Sequence, residues 1–359
     1  MTFARLAISL GRAGLPMIRA RCTARRALSL AAGTSGKMSV RGVNLFYRTN
    51  GDTGLPMICM PGAMGTADGD FGPQLRDLAD TIQVVSFDPR GYGQSQPPER
   101  DFPLDFYQQD ANDAAALMAA LGHSKYAVMG WSDGAISAVM LAAAHAPQVD
   151  RLIIFGGNAF FTKEDIDAFE QTRDVEANWS QRQKDTHYPT YGAEKLQRMW
   201  GAAIDAWSGM YAANDGDVCM AQARTIKCPT LVLHGAKDPI CLSEHPEWFA
   251  ANIPGDGNTK LHILPDGKHN LHLRFADEVN ALVRDFVSSS KDAKMVQEGM
   301  RKKVAPDDSL AGVALNVQLT VDDVDRMTVS KLKDALLARG LDTSGLKPAL
   351  AGRLNDALS

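Results

Sequence analysis

Cysteine is scarce in this 359-residue chain, and its spacing suggests no pairing. The five cysteines are odd in number and form no C-x-x-C motif: Cys22, Cys59, Cys219, Cys228 and Cys241. The pattern therefore supports neither a disulfide framework nor a structural zinc site, and a reducing compartment fits best. No motif in the chain calls for a metal or an organic cofactor, so none is expected.

Long apolar runs and a strong charge of one sign are also missing. No segment has about 20 continuous apolar residues, so no membrane span is expected. The net charge is −4, with 45% hydrophobic and 22% charged residues, which is typical of a soluble globular protein. Any nucleic-acid role must therefore be local. The length predicts one large domain with a smaller appendage.

Acidic residues are absent from the beginning of the chain: the first one is Asp52. Residues 1–36 instead carry six arginines among Ala, Leu and Ser. This composition predicts a mitochondrial transit peptide, and hence a mitochondrial location. The alternative is a disordered basic tail without a targeting role.

Strand-like and helix-like segments alternate after Met38. Residues 40–43 and 45–48 are predicted to form an opening hairpin. Six apolar runs are further predicted strands: 56–60, 83–87, 126–131, 152–155, 230–234 and 260–264. Helical sequence between most of them indicates βαβ units. The expected fold over residues 37–288 is therefore an α/β domain, with a mostly parallel sheet and helices on both faces.

One interval, residues 158–223, interrupts this alternation. It contains no convincing strand, only helical sequence rich in Phe, Tyr and Trp. We interpret it as an inserted helical lid over the strand ends. Its aromatic side chains either line an apolar acyl pocket or only fasten the lid to the core.

The most informative motif is Gly130-Trp131-Ser132-Asp133-Gly134, which lies between a strand-like run and an Ala-rich helical run. A serine in a tight strand-to-helix turn has an exposed hydroxyl, and the N–H groups of the following helix can face a developing oxyanion. This context predicts a nucleophile elbow with Ser132 as the nucleophile.

A serine nucleophile needs a base and an acid that orients the base. Asp238 follows the predicted strand 230–234, and His269 follows the strand 260–264. The chain order Ser, Asp, His is that of the α/β-hydrolase architecture. His272, three residues beyond His269, is the alternative base.

The oxyanion needs backbone N–H donors. Residues 60–65 form a glycine-rich loop after the predicted strand 56–60. The N–H of Ala63 or of Met64, together with the N–H of Asp133, would form the oxyanion hole. The sequence does not choose between Ala63 and Met64.

Residues 88–95 match the D-x-R-G-x-G-x-S loop of the α/β-hydrolase superfamily, which the chain resembles from about residue 39 to residue 288. Within it, five segments resemble the biphenyl hydrolase-like (valacyclovir hydrolase) family: 60–65, 70–75, 130–134, 157–159 and 267–277. The resemblance implies a serine hydrolase of α-amino acid esters, including amino acid prodrug esters.

The resemblance also implies substrate-binding residues. Asp133 would bind the α-ammonium group of a small amino acid ester, because its carboxylate lies beside Ser132 and a charge-assisted hydrogen bond there favours free amines. The alternative is that Asp133 caps the helix. Asn158, in the segment 157–159, is the second substrate-binding residue that we expect.

Two other functions stay open. Carbon–carbon bond hydrolases share this fold and triad, but they bind dicarboxylate-like substrates that Asp133 would repel. The chain could also be a nucleic-acid-associated protein in which the hydrolase core is secondary.

The appended region begins with a polar linker, residues 289–318, before a helical module, residues 319–359. Residues 332–354 resemble the SAP motif of DNA- and RNA-associated proteins. The resemblance implies that five basic side chains face phosphates: Lys331, Lys333, Arg339, Lys347 and Arg353. Six leucines are expected to pack inward: Leu332, Leu336, Leu341, Leu346, Leu350 and Leu354. DNA or RNA is thus an expected partner, bound weakly and with strong salt dependence. The alternative is a helical hairpin that docks to protein or only packs.

Overall fold

The computed structural model describes residues 33–288 and, beyond them, Leu336, Ala351 and Leu354. Within this part of the chain, eight strands form one sheet: β1 (Thr34–Val40), β2 (Val43–Asn50), β3 (Met57–Met60), β4 (Val84–Phe87), β5 (Tyr126–Trp131), β6 (Val149–Phe155), β7 (Thr230–Gly235) and β8 (Thr259–Leu264). Their order is β1-β2-β4-β3-β5-β6-β7-β8. Strand β2 is antiparallel to β1 and β4, and the other neighbours are parallel. The predicted mostly parallel sheet is confirmed.

Helices cover both faces of this sheet. The described residues form α1 (Ala67–Asp77), α2 (Phe106–Ala120), α3 (Asp133–Ala144), α4 (Lys163–Gln171), α5 (Val175–Asn178), α6 (Gln181–Tyr191), α7 (Ala193–Asn214), α8 (Met220–Ala223), α9 (Glu244–Asn252), α10 (Leu271–Arg274) and α11 (Ala276–Ser288). One core layer contains apolar side chains of α2, α3, α7 and α9. The other contains those of α1, α10 and α11. None of the described helices is long and apolar enough to cross a membrane.

The opening hairpin differs from its prediction. Residues 40–43 were expected to be a strand, but Val40 pairs with Val43 across a two-residue turn. Arg41 and Gly42 have φ angles of 46° and 80°. Positive φ at both central residues is the geometry that joins twisted antiparallel strands, so the chain reverses there. The sheet also begins at Thr34, inside the segment 1–36 that was predicted to precede the domain.

Strand β6 starts at Val149, three residues before its predicted start at residue 152. The apolar pattern does not reveal this earlier start, because Arg151 is a charged residue that is nevertheless only 5% exposed. Its guanidinium lies 5.4 Å from the ring centroid of Phe286 on α11, a cation–π contact that permits burial. Strand β5 matches its prediction residue for residue.

Five helices, α4 to α8, lie between β6 and β7, which confirms the predicted helical insertion. Its aromatic rings pack against one another at steep angles: Trp200 lies 4.9 Å from Trp179 and 5.3 Å from Trp207, and Trp207 lies 4.8 Å from Phe169, between centroids. These rings therefore fasten the insertion together. An isolated β-bridge joins Phe160 to Asp217 at its base.

The segment 1–32 and the predicted linker lie outside the described residues. So do the five basic side chains expected to face phosphates. Of the six leucines expected to pack inward, the structure describes Leu336 and Leu354, and both are helical and buried.

Candidate active site

The turn between β5 and α3 places Ser132 in a strained conformation. Its φ is 56° and its ψ is −126°, a combination that non-glycine residues rarely adopt. Flanking glycines allow it. A Cβ on Gly134 would lie 1.9 Å from the carbonyl oxygen of Met60, and a Cβ on Gly130 would lie 2.2 Å from the carbonyl oxygen of Gly134. The elbow can form only because both side chains are absent.

The structure brings Ser132, His269 and Asp238 together in a hydrogen-bonded row. The Nε2 atom of His269 lies 3.1 Å from Oγ of Ser132, and its Nδ1 atom lies 2.9 Å from Oδ2 of Asp238. The other carboxylate oxygen, Oδ1, accepts the N–H groups of Ile240 and Cys241 at 2.9 Å and 3.0 Å. Asp238 is therefore fixed by its own loop while it orients the imidazole.

The charge of Asp238 sets the tautomer of His269. Burial works to raise the pKa of Asp238, but the hydrogen bond and charge of His269, with the two backbone N–H groups, outweigh it and lower that pKa. An ionised carboxylate can only accept, so Nδ1 of His269 must carry the proton. Nε2 is then free to accept the proton of Ser132.

The alternative base, His272, does not face the nucleophile. It is fully buried, and its Nε2 atom lies 2.8 Å from the carbonyl oxygen of Asp70. Burial lowers its pKa to about 3, so the imidazole is neutral over the whole physiological range. The structure thus brings His269, and not His272, to Ser132.

The loop after β3 packs directly against the elbow. A Cβ on Gly62 would lie 3.2 Å from Cβ of Ser132. The loop turns tightly, with the Gly65 N–H donating to the Gly62 carbonyl at 3.0 Å and a φ of 57° at Met64. Within residues 33–288, neither Ala63 nor Met64 donates its N–H to a protein group. Both N–H groups stay candidates for the oxyanion hole, as does the one of Asp133 at the start of α3.

One oxygen of the Asp133 carboxylate is hydrogen-bonded and the other is not. Its Oδ1 atom accepts the hydroxyl of Tyr107 at 2.9 Å, and that hydroxyl oxygen accepts the indole N–H of Trp207, also at 2.9 Å. Its Oδ2 atom is buried without a hydrogen-bond partner among the described residues. Burial is the main cause that raises the pKa of Asp133 to about 7. Neither oxygen caps α3 within the described part of the chain.

Asn158 is buried, and its side-chain amide nitrogen lies 3.0 Å from Nε2 of His245. Its amide thus hydrogen-bonds to His245 and to none of the triad residues, and its role toward substrate stays a prediction. Tyr107 and Trp207 were not predicted as site residues. They come from α2 and α7, and no local motif marks either one.

His234, Asp238 and Cys241 each offer one ligand atom, and these atoms lie within 4.8 Å of one another. Their chemistry does not favour a cation. Burial raises the pKa of Cys241 well above its ordinary value, so the thiol keeps its proton. Both oxygens of Asp238 already accept hydrogen bonds. The cluster is better explained as the surroundings of the triad.

Comparison with known proteins identifies two families in the chain. Residues 56–186 match the α/β hydrolase fold family, and residues 323–359 match the SAP domain. The hydrolase match lies within the predicted α/β domain, and the SAP match lies within the predicted C-terminal module.

Individual proteins that are similar to this chain over most of its length are also hydrolases. The serine hydrolase BPHL of Homo sapiens is 41% identical over 255 residues, which cover 71% of this chain and 86% of that protein. Its counterpart in Mus musculus is 40% identical over 257 residues, covering 71% and 87%. The fold of a hydrolase from Pseudomonas aeruginosa PA01 matches with a TM-score of 0.57 at 23% identity, covering 71% of this chain and 99% of that one. The chain belongs to the BPHL family of serine hydrolases, on the α/β hydrolase fold, and also contains a SAP domain.

Proposed function

We propose that this enzyme hydrolyses esters of α-amino acids that carry a free amino group, through Ser132, His269 and Asp238. The observation that supports this most is the unpartnered Oδ2 atom of Asp133, a buried acceptor on the residue next to the nucleophile. Buried carboxylate oxygens are normally satisfied, so an unpartnered one beside a reactive serine is suited to accept a hydrogen bond from a cationic group of the substrate.

The first half of the reaction acylates the serine. His269 accepts the Ser132 proton at Nε2 while Oγ forms a bond to the ester carbonyl carbon. The carbonyl oxygen becomes an oxyanion, held by the N–H of Asp133 and that of Ala63 or Met64. When the tetrahedral intermediate collapses, the bond to the alkoxy oxygen breaks and that oxygen takes the proton from His269.

The second half releases the amino acid. A water molecule gives a proton to His269 and attacks the aminoacyl carbonyl carbon. The bond to Ser132 then breaks, and its oxygen regains the proton from His269. Asp238 stays ionised throughout and stabilises the imidazolium in both halves. These steps require no metal and no organic cofactor.

Asp133 would supply the preference for free amines. The α-ammonium group is attached to the carbon next to the reacting carbonyl, so it lies close to the residue that follows the nucleophile. A charge-assisted hydrogen bond contributes about 1.5–3 kcal/mol, which corresponds to a preference of about 10- to 100-fold over N-blocked esters. The same carboxylate argues against carbon–carbon bond hydrolysis, because it would repel a dicarboxylate-like substrate.

The test compares valine benzyl ester with its N-acetylated counterpart. The wild type should favour the free amine, Ser132→Ala should hydrolyse neither ester, and Asp133→Asn should lose mainly the preference. Asp133→Asn keeps the size of the side chain, so packing is controlled. A wild type that does not distinguish the two esters would remove the amino acid ester assignment.

We propose nucleic-acid binding as a second function, carried by the SAP domain at residues 323–359. Residues 327–359 contain the five basic side chains named above and three acidic ones, Asp334, Asp342 and Asp356. Binding should be weak and should decline steeply with salt. Fluorescence anisotropy with labelled DNA and RNA would test it, comparing the full chain with Lys331→Glu/Lys333→Glu. Equal binding by both proteins would speak against this surface.

Mitochondrial import directed by residues 1–36 is proposed on their arginine-rich, acid-free composition. Import of the full chain into isolated mitochondria tests it, with Arg25→Glu/Arg26→Glu as the variant. Import that is equally efficient in both would contradict the proposal.

A further inference from the structure

Three side chains from three separate helices form one continuous row of hydrogen bonds that ends at Asp133. Trp207 on α7 donates its indole N–H to the hydroxyl oxygen of Tyr107 on α2, and Tyr107 lies within hydrogen-bonding distance of Oδ1 of Asp133 on α3. Trp207 is 3% exposed and Tyr107 is 2% exposed. The row therefore connects the helical insertion to the residue beside the nucleophile, away from solvent.

The direction of every bond in this row is fixed by the donor inventory. An indole N–H can only donate, so the oxygen of Tyr107 accepts from Trp207. An ionised carboxylate can only accept, so the hydroxyl proton of Tyr107 points at Asp133. Burial raises the pKa of Tyr107 well above its ordinary value, and the hydroxyl stays a donor at every working pH.

We infer that Tyr107 and Trp207 are positioning residues for Asp133: they hold Oδ1, leave Oδ2 unpartnered for the substrate ammonium, and favour the ionised carboxylate. The inference rests on the proposed function. It adds that specificity depends on the insertion, through Trp207, and not on Asp133 alone.

Among the described residues, Tyr107 is the one hydrogen-bond partner of the Asp133 carboxylate. Charged groups nearby act on it without a direct bond. Arg100 favours the ionised form of Asp133, Asp110 opposes it, and His269 favours it, each without a hydrogen bond to it. Arg100 and Asp110 form a two-point ion pair at 2.7 Å and 2.8 Å, so their effects on Asp133 largely cancel. The hydroxyl of the buried Tyr92 is the other titratable group nearby.

The experiment measures kcat/KM for valine benzyl ester and for its N-acetylated counterpart between pH 5 and 8. The ratio of the two values removes the effects of pH that act on both esters alike. The titration of the substrate's own α-amine is the same for every variant, so it cancels when variants are compared with the wild type. In the wild type this ratio should fall as the pH drops through about 7, where Asp133 gains a proton. Tyr107→Phe should move that decline to higher pH and lower the ratio at pH 7 about tenfold or more.

Trp207→Phe should act in the same direction but less strongly, because Tyr107 keeps its proton yet can turn it away from Asp133. Tyr126→Phe is the matched control. Tyr126 is 1% exposed, and its hydroxyl is buried without a partner in the described part of the chain. Its loss should leave the ratio and its pH dependence unchanged. Thermal unfolding of each variant checks folding, and Trp207→Phe carries the test if Tyr107→Phe does not fold.

The outcomes separate this inference from the proposed function. If the wild type favours the free amine and the ratio is unchanged in both Tyr107→Phe and Trp207→Phe, the two residues have only a structural role and the inference fails. If both variants lower kcat/KM for the two esters by the same factor, the ratio is again unchanged and the inference fails. If the wild type itself shows no preference at any pH, the proposed function fails and the inference fails with it.

Discussion

Trp131 donates its indole N–H to the main-chain carbonyl oxygen of His269 over 2.8 Å. Because Trp131 immediately precedes Ser132, this bond ties the loop that carries the base to the strand that carries the nucleophile. The indole ring also lies 4.7 Å from the ring of the buried His272, between centroids. The position of His269 therefore depends on the elbow itself as well as on Asp238.

Trp131→Phe should lower kcat about tenfold while KM changes little, because the ring is retained but the bond that holds the His269 loop is lost. Small displacements of a catalytic group have costs of this order or more. Steady-state kinetics on valine benzyl ester measures it. Trp248→Phe is the control, since that indole lies on α9 against Arg224, 5.0 Å from its guanidinium. An unchanged kcat in Trp131→Phe would show that Asp238 alone fixes the loop.

Asp238→Asn should reduce kcat by about 10⁴, because a neutral amide holds the wrong tautomer of His269. The lowered pKa of Asp238 means that the wild type keeps this carboxylate ionised at neutral and mildly acidic pH. Asp80→Asn is a suitable control, since Asp80 is an exposed carboxylate that pairs with Arg284 on α11. It should keep nearly full activity. A loss of less than tenfold in Asp238→Asn would remove Asp238 from the proposed mechanism.

The sequence predicts the parts of this site that depend on local order. Strand β5 and the elbow are a short-range pattern, an apolar run followed by small residues around Ser132, and the structure has both. Asp238 and His269 each follow a strand, and the carboxyl ends of neighbouring parallel strands meet at one edge of the sheet. Their proximity therefore follows from topology.

Other contacts depend on packing between distant segments, and no local pattern reveals them. Tyr107 and Trp207 are 100 residues apart in the sequence and meet only in the folded chain, through a hydrogen bond between α2 and α7. The sequence does not indicate the hairpin turn at residues 41–42, because Arg41 is not a residue type that usually marks positive φ. The sequence spacing also places both His269 and His272 near the same strand end. The burial of His272, which the sequence does not reveal, is what excludes it as the base.

Gly134→Ala should abolish ester hydrolysis and destabilise the fold by about 2 kcal/mol or more, since its Cβ would lie 1.9 Å from the carbonyl oxygen of Met60 and the elbow must move. Gly72→Ala is the matched control. Gly72 lies within α1, and a Cβ there meets no atom within 4 Å. It should be neutral or stabilise by about 0.4–1 kcal/mol. Urea unfolding of both variants provides the measurement. Equal free energies of unfolding for the two variants would mean that the loop after β3 moves at little cost to accommodate the added Cβ.

His272 should make the fold less stable in acid. Its pKa is about 3 in the folded protein, mainly through burial, against about 6.5 in an unfolded chain. Below about pH 6.5 the unfolded chain therefore binds a proton that the folded protein does not. The free energy of unfolding falls by about 1.4 kcal/mol for each pH unit between those limits, and this loss ends near pH 3. Above about pH 6.5 the group has no effect.

His272→Gln removes this titration but keeps an N–H donor for the carbonyl oxygen of Asp70. The variant should be less stable than the wild type at pH 7, through poorer packing, and the difference should shrink as the pH falls from 6 to 4. Urea unfolding at several pH values measures it. His245, whose pKa burial lowers to about 4, is present in both proteins and cancels in the comparison. Two curves that stay parallel would show that folding leaves the pKa of His272 unshifted, so that its surroundings admit a charge.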